Sequence, residues 1–346
     1  MTGPRWRLPA EGDRHAATWL AWPTTGYTLG DTAEEAELAR RTWAAVANAA
    51  AEHEPVRVVA DPRDERLVRS YLSGAIDVLV APLDDAWIRD SGPTFVVGEH
   101  DDGTRELGAV DWVFNGWGAQ PWATWDRDAL LGRWVAEQAG ATVVDSPLVN
   151  EGGGIHTDGR GIVLATDTVQ LDPGRNPDWT REQVEAEFAR VLGATTVLWL
   201  PRGLHRDSDT FGTRGHVDIV ATFPAPGRVL LHDQRAVEHP DFALSRELRE
   251  LLTSWALADG ATVDVVPLPA PDTLRDEEGW VDYSYINHSL VNGGVIACGF
   301  GDARDAEAAA ILADQYPGRT VTTVDARPLF TRGGGIHCIT LHQPAL

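Results

Sequence analysis

Cys338 follows a run of three glycines in the segment RGGGIHCIT, and the pentapeptide GGGIH occurs a second time at residues 152–156, 181 positions earlier (333 − 152). The earlier copy is preceded by Glu151, whereas the later one is followed by one of only two cysteines in the chain. Glycine runs let other groups approach the backbone and permit φ > 0, so both copies read as turns that aim side chains into a shared space, with Gly335 leaving room for a ligand beside the thiol. A cysteine becomes a nucleophile only as a thiolate, which its surroundings must favour. In GHVD, His216 and Asp218 stand two residues apart, and on a strand both would face the same side. Cys338, His216 and Glu151, with Asp218, would supply nucleophile, proton shuttle and carboxylate. The segment DDAWIRDSGP gathers Asp84, Asp85, Trp87, Arg89 and Asp90, and carboxylates beside an aromatic ring suit a planar cation, bonding its N–H edges and covering its face. A metal held by His216, Asp218 and His156 would need a tighter ligand spacing, so no metal and no organic cofactor is expected.

Elements that could position these residues alternate along the chain. Helices are expected over 33–53, 129–138, 180–192, 245–260 and 303–316, the third opened by Thr180 and Gln183 as a capping box. Strands are expected over 18–22, 56–60, 75–80, 93–97, 143–144, 162–165, 197–200, 217–223, 229–232, 263–267, 284–291, 295–299, 319–324 and 336–342. Five segments share a polar or glycine-rich turn that enters an apolar strand: RDSGPTFVV, EGGGIHTD, RGHVDIVA, INHSLVNGGV and RGGGIHCIT. Radial repetition would bring the five turns around one axis, as propeller blades do.

Composition excludes several classes. The net charge is −23, from 29 basic and 52 acidic residues. That field repels nucleic acid and draws in cations. Two cysteines make neither a disulfide scaffold nor a zinc site, and Cys298, within VIACGF, reads as a small core residue. The first residues, MTGPRWRLPAEGD, carry no apolar stretch of signal-peptide type, and no run approaches the roughly 20 apolar residues of a membrane span. A cytoplasmic protein without membrane or nucleic-acid partners is expected. No linker-like stretch divides the 346 residues, so residues 1–346 are read as a single catalytic domain.

Taken in order, the motifs TWLAWP (18–23), EPVRVVA (54–60), DDAWIRDSGPTFV (84–96), WVFNGWG (112–118), EGGGIHTDGRG (151–161), GHVD (215–218), YINHSLVNGGV (285–295) and GGGIHCIT (333–340) resemble the agmatine deiminase and bacterial peptidyl-arginine deiminase family, within the wider guanidine-modifying enzyme superfamily. The resemblance implies an α/β fold, a fivefold pseudo-symmetric propeller of repeated ββαβ-type units with its active site on the axis. It also implies Cys338 as nucleophile, His216 and Glu151 as the acid–base pair, and Asp90 and Asp218 as guanidinium-binding carboxylates, with Trp87 lining the pocket and Asp85 and Gly335 beside them. The implied reaction is hydrolysis of a small cationic guanidino compound, agmatine or a relative, to a ureido product and ammonia through an amidino–Cys intermediate. A homo-oligomer is left open.

The chain departs from the agmatine-specific pattern in two places, TTGYTLG after WLAWP and DSDTFGTR before GHVD. Arg214 in the second would suit a substrate carboxylate if it faced the substrate's distal end, or a surface acid if it faced outward. Alternatives at the same site are an amidinotransferase and an arginine or peptidyl-arginine deiminase. A guanidino-metabolite binding protein is the alternative outside enzymes, although binding alone needs no thiol.

Overall fold

The computed structural model describes residues 3–26, 28–257, 260 and 262–346, so Tyr27 of the TTGYTLG segment lies outside the described residues. The fold is mixed α/β. Five sheets share one connectivity, in which a first strand pairs antiparallel with a second and the second pairs parallel with a third. A parallel partner cannot be reached through a tight turn, so a helix makes each crossover.

In chain order, the first sheet runs Thr94–Glu99, Arg105–Val113 and, across helix Leu131–Ala139, Thr142–Val149. The second runs Ile155–Thr157, Ile162–Thr166 and, across Arg181–Leu192, Thr196–Leu200. The third runs Ala221–Ala225, Arg228–Asp233 and, across Asp241–Ser254, Asp264–Pro269. Ser289–Val291, Gly294–Gly299 and, across Asp305–Gln315, Thr320–Asp325 make the fourth. The fifth joins the chain's two ends: Leu341–Pro344 pairs with His15–Ala21, which is followed across Ala33–Ala51 by Val56–Ala60 and then Asp77–Val80. Each first strand follows one of the five turn segments singled out in the sequence.

Helix Ala33–Ala51 illustrates how sequence places the site. Thr32 caps it in a reciprocal box with Glu35, and Ala39, Trp43, Val46, Ala47 and Ala50 form its buried stripe. Trp43 meets Trp87 edge-on, their ring centroids 5.6 Å apart. Thr180 and Gln183 form the expected capping box. A main apolar core runs through all five sheets, and a smaller one, around Val96, Trp112, Val163 and Phe188, lies under helix Arg181–Leu192. Among the described residues no helix is long and apolar enough to cross a membrane.

Several expected elements are corrected. Residues 217–219 form a single tight helical turn, and the strand begins at Ala221. The strand expected over 284–291 begins at Ser289, and the one expected over 336–342 begins at Leu341. In the last case the side chain of Asn287 accepts from the His337 N–H at 2.9 Å, taking a donor that a strand ladder would need. The helix expected over 245–260 spans Asp241–Ser254 and ends at Trp255 rather than on glycine; residues 258 and 259 lie outside the described residues. Strands Arg5–Arg7 and Arg105–Val113 were not expected, because charged residues interrupt their apolar pattern.

Candidate active site

The five turns that precede the first strands converge. Trp87 and Asp90 come from the turn at 87–91, Glu151 and Gly153 from 151–154, and His216 and Asp218 from 214–219. Asn287 comes from 284–288 and Cys338 from 333–340. Close approach explains the glycines. A Cβ on Gly153 would stand 2.5 Å from His216 Nδ1 and 2.9 Å from Asp90 Oδ1, and one on Gly334 would stand 2.7 Å from the Trp87 ring. Only Gly333 among these six glycines has a positive φ, so the first copy needs glycine for space alone.

Cys338 is 6 % exposed. Its Sγ lies 3.3 Å from Asn287 Nδ2 and 3.5 Å from Asp218 Oδ2. Burial, with Asp218 and Asp90 nearby, pushes the thiol well above its ordinary value, against hydrogen bonds from Gly335 N–H and Asn287. Asp218 Oδ2 accepts from His337 Nδ1 at 2.8 Å, while Oδ1 is buried with no hydrogen-bond partner among the described residues. Burial would raise the Asp218 carboxyl, but His337 and His216 hold it below its ordinary value.

Asp90 faces the same space. Its Oδ2 accepts from Trp117 Nε1 at 2.9 Å and its Oδ1 from Gly153 N–H at 3.1 Å. Burial above all, with Asp218 and Glu151 adding like charge, raises it to about 6. His216 Nε2 lies 3.3 Å from Glu151 Oε2, and its Nδ1, 3.8 Å from Asp90 Oδ1, is buried without a hydrogen-bond partner among the described residues. Burial would lower His216, but Asp90 and Glu151 outweigh it and raise the imidazole to about 9. Glu151 is fully buried and is held by Arg175 Nε at 2.9 and 3.0 Å; burial works against its charge, yet Arg175 and His216 keep it below its ordinary value.

A narrow cleft lies against these groups, lined by Trp87, Asp90, Trp117, Trp122, Phe211 and Cys338, with Thr213 and Gly333. Phe211 and Gly333 also line a neighbouring cavity of about 380 Å³, which holds Asp209, Glu278, Asp282 and Arg206. Arg206 is already engaged there by Asp276 and Glu278, each at 2.6 Å.

Asp85 stands behind Trp87 rather than in the cleft. Its carboxylate accepts from Thr28, from Ala86 N–H and from the Trp87 side chain, so it holds the ring's position. Gly335 turns its N–H to the Cys338 thiol, and a Cβ there would strike Asn287 Oδ1 at 2.4 Å. Arg214, 44 % exposed at its side chain, lies 3.5 Å from Asp172 and 3.4 Å from Gln120 and lines neither cavity. Cys298 donates to the Asn287 carbonyl at 3.1 Å, and burial pushes its thiol up to about 12. His156 bonds Thr222 at 2.8 Å, and among the described residues no three His, Cys, Asp or Glu side chains converge as metal ligands would. Sequence reading missed Asn287, Arg175, Trp117 and Asp207, whose carboxylate accepts from the Gly215 and His216 N–H groups. Asn287 and Trp117 lie within the motifs YINHS and FNGWG, but nothing local in either distinguished those residues from turn formers.

The profile of the Porphyromonas-type peptidyl-arginine deiminases matches residues 7–344. A Streptomyces coelicolor protein, provisionally named an agmatine deiminase, is 54 % identical over 98 % of both chains. The agmatine deiminase of Stutzerimonas stutzeri is 37 % identical over 98 % of this chain and 95 % of its own. The structure of the Enterococcus faecalis agmatine deiminase superposes with a TM-score of 0.90 at 30 % identity, covering 98 % of this chain and 96 % of the other. With a match that runs nearly from end to end, the chain belongs to the Porphyromonas-type peptidyl-arginine deiminase family.

Proposed function

We propose that this chain is a Cys-dependent deiminase that hydrolyses the guanidino group of agmatine to a ureido group and ammonia. The observation that carries the reading is a buried thiol 3.5 Å from a carboxylate, Asp218, whose other oxygen lacks a partner among the described residues, at a cleft lined by Asp90, with His216 3.8 Å from that second carboxylate. Two carboxylates fixing the N–H edges of a guanidinium would place its central carbon over the sulfur. The bound cation would offset the carboxylates that disfavour the thiolate, and the thiol proton would leave to solvent as substrate enters.

The thiolate then attacks the central carbon. His216, carrying a proton near neutral pH, gives it to the departing amino group, the C–N bond breaks and ammonia leaves. An S-alkylthiouronium remains on Cys338. Neutral His216 takes a proton from water, the hydroxide attacks the same carbon, and the C–S bond breaks to restore the thiolate. The hydroxyl proton of the product passes to solvent, where the released ammonia takes it up, leaving the ureido group. Glu151, clamped by Arg175, would orient His216 throughout. Trp87 would cover the face of the guanidinium. No metal or organic cofactor has a part in these steps.

The neighbouring cavity favours a cationic tail. Arg206 there is engaged by two acids, leaving Asp209 and Asp282 in excess, which suits an ammonium better than a carboxylate. The small cleft behind Trp117, Trp122 and Phe211 favours a free small molecule over a peptide. The shared connectivity of the five sheets supports a fivefold pseudo-symmetric propeller formed by residues 1–346 as a single catalytic domain, with the converging turns at its axis. The acidic net charge fits a cytoplasmic enzyme for a cationic metabolite without nucleic-acid partners. Ammonia release from agmatine, arginine, guanidinoacetate and guanidinobutyrate tests the reading. Agmatine is expected to have the highest kcat/KM, and preference for a carboxylate-bearing compound would overturn that choice of tail.

A further inference from the structure

The histidines of the two GGGIH copies, His156 and His337, are not used by the chemistry above, yet both turn to one carboxylate. Glu11, on the segment before the His15–Ala21 strand, lies 2.8 Å through Oε1 from His337 Nε2 and 3.5 Å through Oε2 from His156 Nε2. Arg89 Nη1 is 3.3 Å from the same Oε1, and His342 Nδ1 is 3.8 Å away. The Glu11 side chain is 12 % exposed. Only His337 continues inward, since its Nδ1 lies 2.8 Å from Asp218 Oδ2.

A neutral imidazole has one N–H donor and one acceptor nitrogen, whereas a carboxylate only accepts. Both ring nitrogens of His337 face carboxylate oxygens at 2.8 Å, so both hydrogen bonds form only when the ring is doubly protonated. We propose that Glu11 and His337 are positioning residues for the deiminase reaction. Glu11 holds His337 as an imidazolium, and His337 pins Asp218 through Oδ2, keeping Oδ1 ionised and turned to the incoming guanidinium. This role rests on the deiminase reading, because it gives Asp218 the task of binding that cation.

The surroundings agree on charge. The groups facing His337 are Asp218, Glu11, Arg89 and the His156 ring, whose centroid is 6.3 Å away. Burial and Arg89 oppose its proton, yet the two carboxylates raise it above its ordinary value. Those facing Glu11 are His337, Arg89, His156 and His342, which together hold its carboxyl well below the ordinary value despite burial. Asp218 is faced by His337, His216, Arg89, Asp90 and Cys338.

The test uses the full chain. In wild type, nitrogen-15 NMR of the histidine rings is expected to show both His337 nitrogens protonated at pH 8; a neutral His337 at that pH overturns the proposal without any variant. Glu11→Gln keeps an acceptor for His337 but removes the charge. It is expected to lower the pH at which His337 loses a proton and to raise KM for agmatine about five- to tenfold at pH 8.5, the ratio separating charge-assisted from neutral hydrogen bonds. The KM ratio should shrink toward one at pH 6, where His337 is protonated in both proteins, with kcat within about threefold, because the lost interaction acts on bound cation rather than on the sulfur. His337→Asn, uncharged but still a donor toward Asp218, is expected to show the same KM effect without the pH dependence. Unchanged KM at pH 8.5, or equal losses of kcat and KM alongside a lowered melting temperature, would make the pair structural only. If wild type fails to release ammonia from agmatine, the deiminase reading falls, while the NMR arm still reports whether His337 is an imidazolium.

Discussion

At the scale of single residues, the structure holds the proposed nucleophile, Cys338, in its thiol form. Cys338 faces Asp218 and Asp90, which favour the thiol, while His216 nearby retains its proton to about 9. Chemistry therefore waits for a cation. Cys338→Ser is expected to abolish turnover while agmatine still binds, and wild type quenched during turnover is expected to carry one amidino adduct at Cys338 by mass spectrometry. An adduct at Cys298 would contradict the assignment. The pH profile follows from the same groups. Asp90, at about 6, must be ionised to bind a guanidinium, so kcat/KM is expected to fall as pH drops through that value. His216, at about 9, must carry the proton it donates, so kcat/KM is expected to fall again as pH rises through that value. Asp90→Asn is expected to remove the acid limb and raise KM; an unchanged acid limb would assign it to another carboxylate.

At the scale of elements, the site is held from behind. Trp87 is braced by Trp43 of the Ala33–Ala51 helix and by the Asp85 carboxylate. Trp43→Ala is expected to cost about 3–5 kcal/mol of stability, the usual size for emptying a buried aromatic site, and to raise KM as Trp87 loses its support. Denaturant unfolding and steady-state kinetics check the two effects, and a stability loss with unchanged KM would show that Asp85 suffices. The five turns that carry the site were legible because each couples glycine or polar residues to an apolar strand. What those turns do internally was not. IHCIT alternates like a strand, yet its backbone is claimed by Asn287, fifty residues away in sequence from His337 (337 − 287). GHVD carries His216 and Asp218 on a helical turn rather than on the expected strand, so their nearness has a different geometric origin from the one expected. Arg175 and Glu11 stayed hidden because their partners are fixed only when the sheets assemble, Arg175 meeting Glu151 and Glu11 meeting His337.

At the scale of the whole molecule, the fold tolerates a large uncompensated negative charge. Asp85, Asp90 and Asp241 are raised to about 6 and Asp282 to about 7, each chiefly by burial. A carboxyl raised in the folded state opposes folding once pH exceeds its unfolded value near 4, and the effect grows until its folded pKa is passed, at about 1.4 kcal/mol per unit. Glu11, Glu54, Glu151 and Asp218 are shifted downward, so their contribution is present above the unfolded value and is lost as pH falls through the lowered one. Buried histidines oppose the raised carboxyls: His232 and His288, lowered to about 4, and His239 and His342, also lowered, cost stability as pH falls below the unfolded value of about 6.5. Maximal stability of the free enzyme is therefore expected between about pH 5 and 7, with self-repulsion from a net charge of −23 at pH 7 weighing against the alkaline side. A bound cation reverses part of this. Agmatine added to the inactive Cys338→Ser variant is expected to raise the melting temperature more at pH 8 than at pH 5, because Asp90 is then fully ionised and free to bond the guanidinium. Scanning calorimetry at pH 5, 6.5 and 8 checks these slopes. A free enzyme more stable at pH 8 than at pH 6.5 would mean that Asp282 and His216 are relieved by solvent. An agmatine shift that is equal at pH 5 and pH 8 would mean that the guanidinium is held without Asp90.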